Sequence, residues 1–170
     1  MNLCVDSVIE DERWQAFGLE AVAARAAGAT LSHLGLDPAL FQAVVMGCDD
    51  ARIAELNGTF RDKAKPTNVL SWPSAERGSE YAGEAPELPE PGTPEAPEPL
   101  GDIAIAFDTC AREAAEQEKT FDTHVTHLLI HGILHLFGYD HIDDDDAELM
   151  EGTERQILAA LGIADPYAGG

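Results

Sequence analysis

The segment from His124 to His141, HVTHLLIHGILHLFGYDH, holds five of the chain's six histidines and constrains the fold more than any other stretch. It is largely apolar between the histidines and contains no proline, so it predicts a helix. His131 and His135 stand four residues apart and therefore project from one face of that helix, one turn from each other. Two imidazoles placed in this way form two sides of a metal clamp. Gly138 suits a helix C-terminus and permits a sharp turn, which lets His141 swing back under His135.

The spacing from His131 to His141, H-x-x-x-H-x-x-G-x-x-H, resembles the ligand pattern of the metzincin peptidases with one omission. Gly132 stands after the first histidine, where those enzymes carry glutamate. A rival set, His127 with His131 and His135, fails on geometry. Two helical turns separate its outer members by about 12 Å, whereas nitrogens around one zinc lie within roughly 4 Å of each other. His131, His135 and His141 are thus the expected ligands of one zinc ion per chain, a nitrogen set that also takes other divalent metals. Three neutral ligands leave a fourth position open, the pattern of catalytic rather than structural sites. His124 and His127 keep open roles as supporting, substrate-facing or merely structural residues, and Asp140 is a candidate to orient a liganded imidazole.

Gly132 supplies no general base, so peptide hydrolysis loses ground. Phosphodiester cleavage, whose transition state needs charge stabilisation from a metal and a cation, suits the residues better. The formal net charge of −22 opposes loose binding to phosphate backbones. Against that acidity, Arg52, Arg61, Lys63 and Lys65 bring four of the ten basic residues into one short window. Arg61 is the candidate catalytic cation, and Lys63 and Lys65 are candidates for substrate binding.

The rest of the chain reads as scaffold. Strands are expected over residues 2–9, 41–48, 67–72 and 100–107, and helices over 12–34, from Asp49 or Asp50 to Asn57, from Asp108 or Thr109 to Glu118, from Thr120 or Asp122 to about Gly138, and from Asp143 onward. Gly28 weakens the middle of the long first helix. The order of elements predicts a single small α+β domain over residues 1–170, with one mixed sheet of about four strands covered by helices. Residues 74–99 are dense in Pro and Glu and nearly empty of core residues, so they are expected to form an extended or disordered acidic insertion. Cys4, Cys48 and Cys110 are odd in number and lack C-x-x-C spacing, which argues against a disulfide framework. No apolar run approaches the roughly 18 residues that span a bilayer, and the N-terminus does not read as an export signal. A cytoplasmic location without a membrane partner is the expectation.

HGILHLFGYDH resembles the histidine signature of the YbeY family of bacterial metal-dependent endoribonucleases and ribosomal RNA maturation factors. LNGTFRDKAKPTNVLSWP is similar to that family's arginine-bearing segment and LGDIAIAF to its GDI strand, in the same order. Asn68 stands where many members carry Asp, and Ala106 where Ser is common. The resemblance implies zinc held by His131, His135 and His141 at the mouth of a cleft, with Arg61 engaging RNA phosphate. It further implies cleavage of single-stranded RNA, processing of the small-subunit ribosomal RNA precursor, ribosome quality control, and association with ribosomal proteins or the small subunit. Two other readings are a ribosome assembly factor with a structural zinc, and a zinc hydrolase of peptides or small amides with Asp140 or Asp143 as base.

Overall fold

The computed structural model describes residues 5–61, 67–73, 90–139 and 144–163, with the backbone alone for 59–61. Four strands, β1 (Val5–Ile9), β2 (Phe41–Cys48), β3 (Val69–Pro73) and β4 (Glu98–Ala106), form one sheet in the order β1-β2-β4-β3. β1, β2 and β4 run parallel, and β3 returns antiparallel along β4 as an edge strand. The sheet is mixed and four-stranded, and with its helices makes the expected α+β domain.

Toward their C-terminal ends the two inner strands are apolar on both faces because helices cover both. On one face Ala43, Val45, Ile103 and Ile105 join the main core with α2 (Leu19–His33) and α5 (Phe121–Leu136). On the other, Leu70, Ala104 and Ala106 pack with Ile53 of α3 (Asp50–Arg61). α5 packs against β3, β4, α2, α4 (Phe107–Glu116) and α6 (Asp144–Ala160), so the histidine helix is enclosed on several sides. Trp14 lies fully buried in a ring cluster with Phe17, Phe107 and Phe121, its indole N–H donating to the Cys48 carbonyl at 2.9 Å. Among the described residues no helix is long and apolar enough to cross a membrane.

Several boundaries differ from those expected. The helix predicted over 12–34 is two helices, α1 (Glu12–Phe17) and α2, broken at Gly18 rather than weakened at Gly28. Gly18 adopts a left-handed φ of 91° and caps the first while starting the second. α3 continues four residues past Asn57, so Arg61 stands in its last turn. α4 begins at Phe107 with Ala106 at its N-cap, which offers no side-chain acceptor. Asp50 of α3 supplies one instead, accepting from the Thr109 amide at 3.0 Å and the Thr109 hydroxyl at 2.7 Å. β4 starts at Glu98, so the end of the predicted insertion belongs to the sheet. The loop before it is pinned where the Gly92 amide donates to the Leu40 carbonyl at 3.1 Å. Residues 2–4 of the first predicted strand and residues 74–89 lie outside the described residues.

A candidate metal centre on the histidine helix

Thr120 starts α5 as its N-cap, its hydroxyl accepting from the Thr123 amide at 3.1 Å. The helix ends on a glycine turn. Gly138, with φ of 101°, donates to the His135 carbonyl at 3.0 Å, and Tyr139 donates to the Leu134 carbonyl at 3.0 Å. This turn brings the Tyr139 carbonyl back under the helix end, where it accepts from His135 Nδ1 at 2.8 Å. A carbonyl is only an acceptor, so the proton of that imidazole sits on Nδ1 and its Nε2 presents a lone pair.

His131 is held in the same sense from a different direction. Its Nδ1 lies 2.9 Å from Oε2 of Glu154, a residue of α6 with no exposed surface. The other oxygen of that carboxylate accepts from His127 Nε2 at 2.5 Å. The outcome is that the Nε2 atoms of His131 and His135 face each other 3.0 Å apart. Nitrogens around a tetrahedral ion at about 2.0–2.1 Å would be separated by about 3.3 Å. Two lone pairs directed at one point would repel, and a shared divalent cation would turn that repulsion into ligation. The donor set therefore fits the metal anticipated for it. His131 retains 22% side-chain exposure, so the pair is reachable from solvent while Glu154 beneath it is not.

His131 and His135 are thus brought together, and His127 points away to Glu154. His141 and the candidates Lys63 and Lys65 lie outside the described residues, as does Asp140. The described residues contain no group of three metal-binding side chains. Arg61 is placed on the α3 backbone, its side chain lying outside the description. Arg52, counted with the basic window, ion-pairs with Glu10 at 3.1 Å and Glu55 at 3.2 Å, so acidic neighbours offset its charge. Glu154 was missed by sequence reasoning, although a signal existed: it lies four residues from both Met150 and Leu158, on the apolar face of α6.

Gly132 is buried, and a Cβ built there would lie 3.2 Å from Ile103 Cδ1 of β4. The position that carries a peptidase's base in the metzincin pattern here faces the sheet.

His124, at the other end of α5, has a separate partner. Its Nε2 lies 2.9 Å from Oε1 of Glu113, which also accepts from the Asn68 amide at 3.0 Å. Burial holds the His124 imidazole below the ordinary histidine range; Glu113 opposes that shift, while His127 and Lys119 add to it. The unfolded chain therefore takes up this proton first, as pH falls through about 6.5. Stability contributed by neutral His124 is present above that pH and is lost as pH falls toward the lower folded value. Replacing His124 by glutamine should flatten the acid side of a plot of thermal midpoint against pH. An unchanged slope would assign the proton uptake elsewhere.

The fold and the paired imidazoles define a small α+β protein whose central helix brings two histidine Nε2 atoms together. The chain belongs to the endoribonuclease YbeY family: the family model described as Endoribonuclease YbeY matches residues 6–162. It is 65% identical to the endoribonuclease YbeY of Cereibacter sphaeroides, over 98% of this chain and 100% of that protein. It is 60% identical to that of Paracoccus denitrificans, over 96% of this chain and 89% of that protein. Its fold is similar to the solution structure of TM1509 from Thermotoga maritima, with TM-score 0.53, 22% identity, and coverage of 93% of this chain and 91% of that one.

Proposed function

We propose that this chain is a zinc-dependent endoribonuclease that cuts single-stranded RNA during small-subunit ribosomal RNA maturation and ribosome quality control. The observation that carries the metal is the pair of Nε2 atoms of His131 and His135 at 3.0 Å, each ring oriented through its Nδ1. RNA as substrate draws support from the named activity of relatives 60–65% identical over nearly the whole chain. His131 and His135, with His141 as the third ligand, would hold the ion, zinc or another divalent metal according to supply. When bound, such an ion supplies Lewis acidity and lowers the pKa of water toward about 7.

The protein's own groups do the rest. His131 and His135 keep their lone pairs aimed at one point through acceptors that fix their rings. Arg61, at the end of α3, engages the phosphate and offsets charge that develops on its oxygens. Lys63 and Lys65 follow within four residues and contact the RNA backbone. In a chain of net charge −22 this local cationic segment confines RNA to one place. The precursor of the small-subunit RNA is the proposed partner, with ribosomal proteins or the small subunit alongside. Peptide hydrolysis draws no support from a Gly132 turned into the core.

Metal content and RNA cleavage of the wild type, His131→Ala and Arg61→Ala test this together. His131→Ala should remain folded and lose both metal and cleavage. Arg61→Ala should retain the metal and cleave about 10²–10³-fold more slowly, the range for removing one charge-stabilising group. RNA cleavage that persists in metal-free protein would overturn the reading. Collapse of the fold in His131→Ala would favour an assembly factor with a structural zinc.

A further inference from the structure

The geometry points to Glu154 as a positioning residue for the metal, its carboxylate holding His131 with Nε2 turned to the ion while His127 holds the carboxylate. The inference rests on the reading of His131 as a ligand. Its first support is where Glu154 sits. An acidic side chain with 0% exposure, on the apolar face of a helix beside Met150, Ile157 and Leu158, carries a desolvation cost that a surface acid avoids.

A second support is how both oxygens are used. Oε1 and Oε2 each meet a different histidine of α5, His127 at 2.5 Å and His131 at 2.9 Å, one helical turn apart. The two rings are engaged through different atoms: His127 offers Nε2 to Glu154, and His131 offers Nδ1. Only the second arrangement leaves an Nε2 lone pair to face His135. His127, with its Nε2 committed to Glu154, acts as a support for the carboxylate and not as a ligand.

A third support is the asymmetry between the two ring-orienting acceptors. His135 is fixed locally, by a carbonyl four residues along the chain. His131 is fixed by a residue 23 positions away on another helix. The geometry of the metal pair therefore depends on the docking of α6, and metal binding in turn holds α6 in place. A liganded histidine whose other nitrogen donates to a carboxylate is a recurrent means of fixing tautomer and raising ligand basicity.

Two measurements test this. Ring ¹⁵N NMR of metal-free wild type should show His131 protonated at Nδ1; a dominant Nε2-protonated form would overturn the proposal without any substitution. Zinc affinity, read by competition with a chromogenic chelator, should then be compared among the wild type, Glu154→Leu, Glu154→Gln and His131→Ala, each checked for helical circular dichroism. Glu154→Leu should weaken zinc by about 10–100-fold, the range for outer partners of metal ligands. Glu154→Gln, whose amide oxygen still accepts from Nδ1, should lose less. Folded Glu154 variants with wild-type zinc affinity, beside a His131→Ala that has lost zinc, would overturn the role of Glu154 and leave the metal site standing. Wild-type affinity in His131→Ala would remove the ligand assignment itself, and the role of Glu154 with it. Where the Glu154 variants fail to fold, the wild-type ring spectrum decides.

Discussion

Glutamate at position 132 should unfold this protein rather than convert it to a peptidase. The substitution restores the metzincin spacing in sequence, yet the Cβ would already sit 3.2 Å from Ile103 Cδ1 and 3.5 Å from Ile103 Cγ2. The remaining atoms would extend into the apolar layer between α5 and β4, where Ile103 and Ile133 are essentially without solvent contact. An unpaired carboxylate buried there costs several kcal/mol, to which overpacking adds about 1–3 kcal/mol. Against a typical total stability of about 5–15 kcal/mol, that leaves the variant largely unfolded or close to it. Gly132→Ala separates packing from charge. Its Cβ asks Ile103 to move by a few tenths of an ångström, while alanine gains about 1 kcal/mol in helix propensity, so its stability should stay near that of the wild type. Denaturant unfolding of the three proteins checks the order. A Gly132→Glu chain as stable as wild type, or one that hydrolyses peptides, would contradict it.

Gly101→Ala should lower stability by about 3 kcal/mol or more. Gly101 has φ of 141°, and a Cβ there would stand 2.2 Å from the Trp72 carbonyl oxygen and 2.9 Å from Leu136 Cδ2. The position follows a register shift in which Gln42 pairs with Pro99 and Ala43 with Gly101, leaving Leu100 as the extra residue. The backbone strain and the steric overlap each contribute about 1–3 kcal/mol, and neither β3 nor the end of α5 yields freely. For a chain of this size the thermal midpoint should fall by about 10 °C. Because Leu136 adjoins His135, weaker binding of the proposed zinc should accompany the loss. A midpoint within 2 °C of wild type, taking about 2–4 °C per kcal/mol, would show that the bulge relaxes.

The two positions mark where local pattern stops being informative. Helical spacing identifies which histidines share a face, because turn geometry is the same wherever an α-helix forms. The same holds for β2, whose apolar run matched the strand residue for residue, and for the Gly138 turn, since a left-handed residue at a helix end favours glycine. The mixed four-stranded sheet followed from the order of elements. The i, i+4 spacing likewise put His131 and His135 on one face of α5, where their Nε2 atoms stand 3.0 Å apart.

What the sequence by itself determined, then, is the histidine helix, the order of strands and helices, and membership of a family whose motifs are spaced along one chain. Tertiary structure alone decided the rest. It set Gly132 against Ile103, supplied Asp50 as the cap for α4, paired Arg52 with Glu10, and placed Glu154 under His131. Each of these is a contact between residues remote in sequence. Helical and strand periods report which way a side chain points, and only the packing of one element on another determines what it meets there.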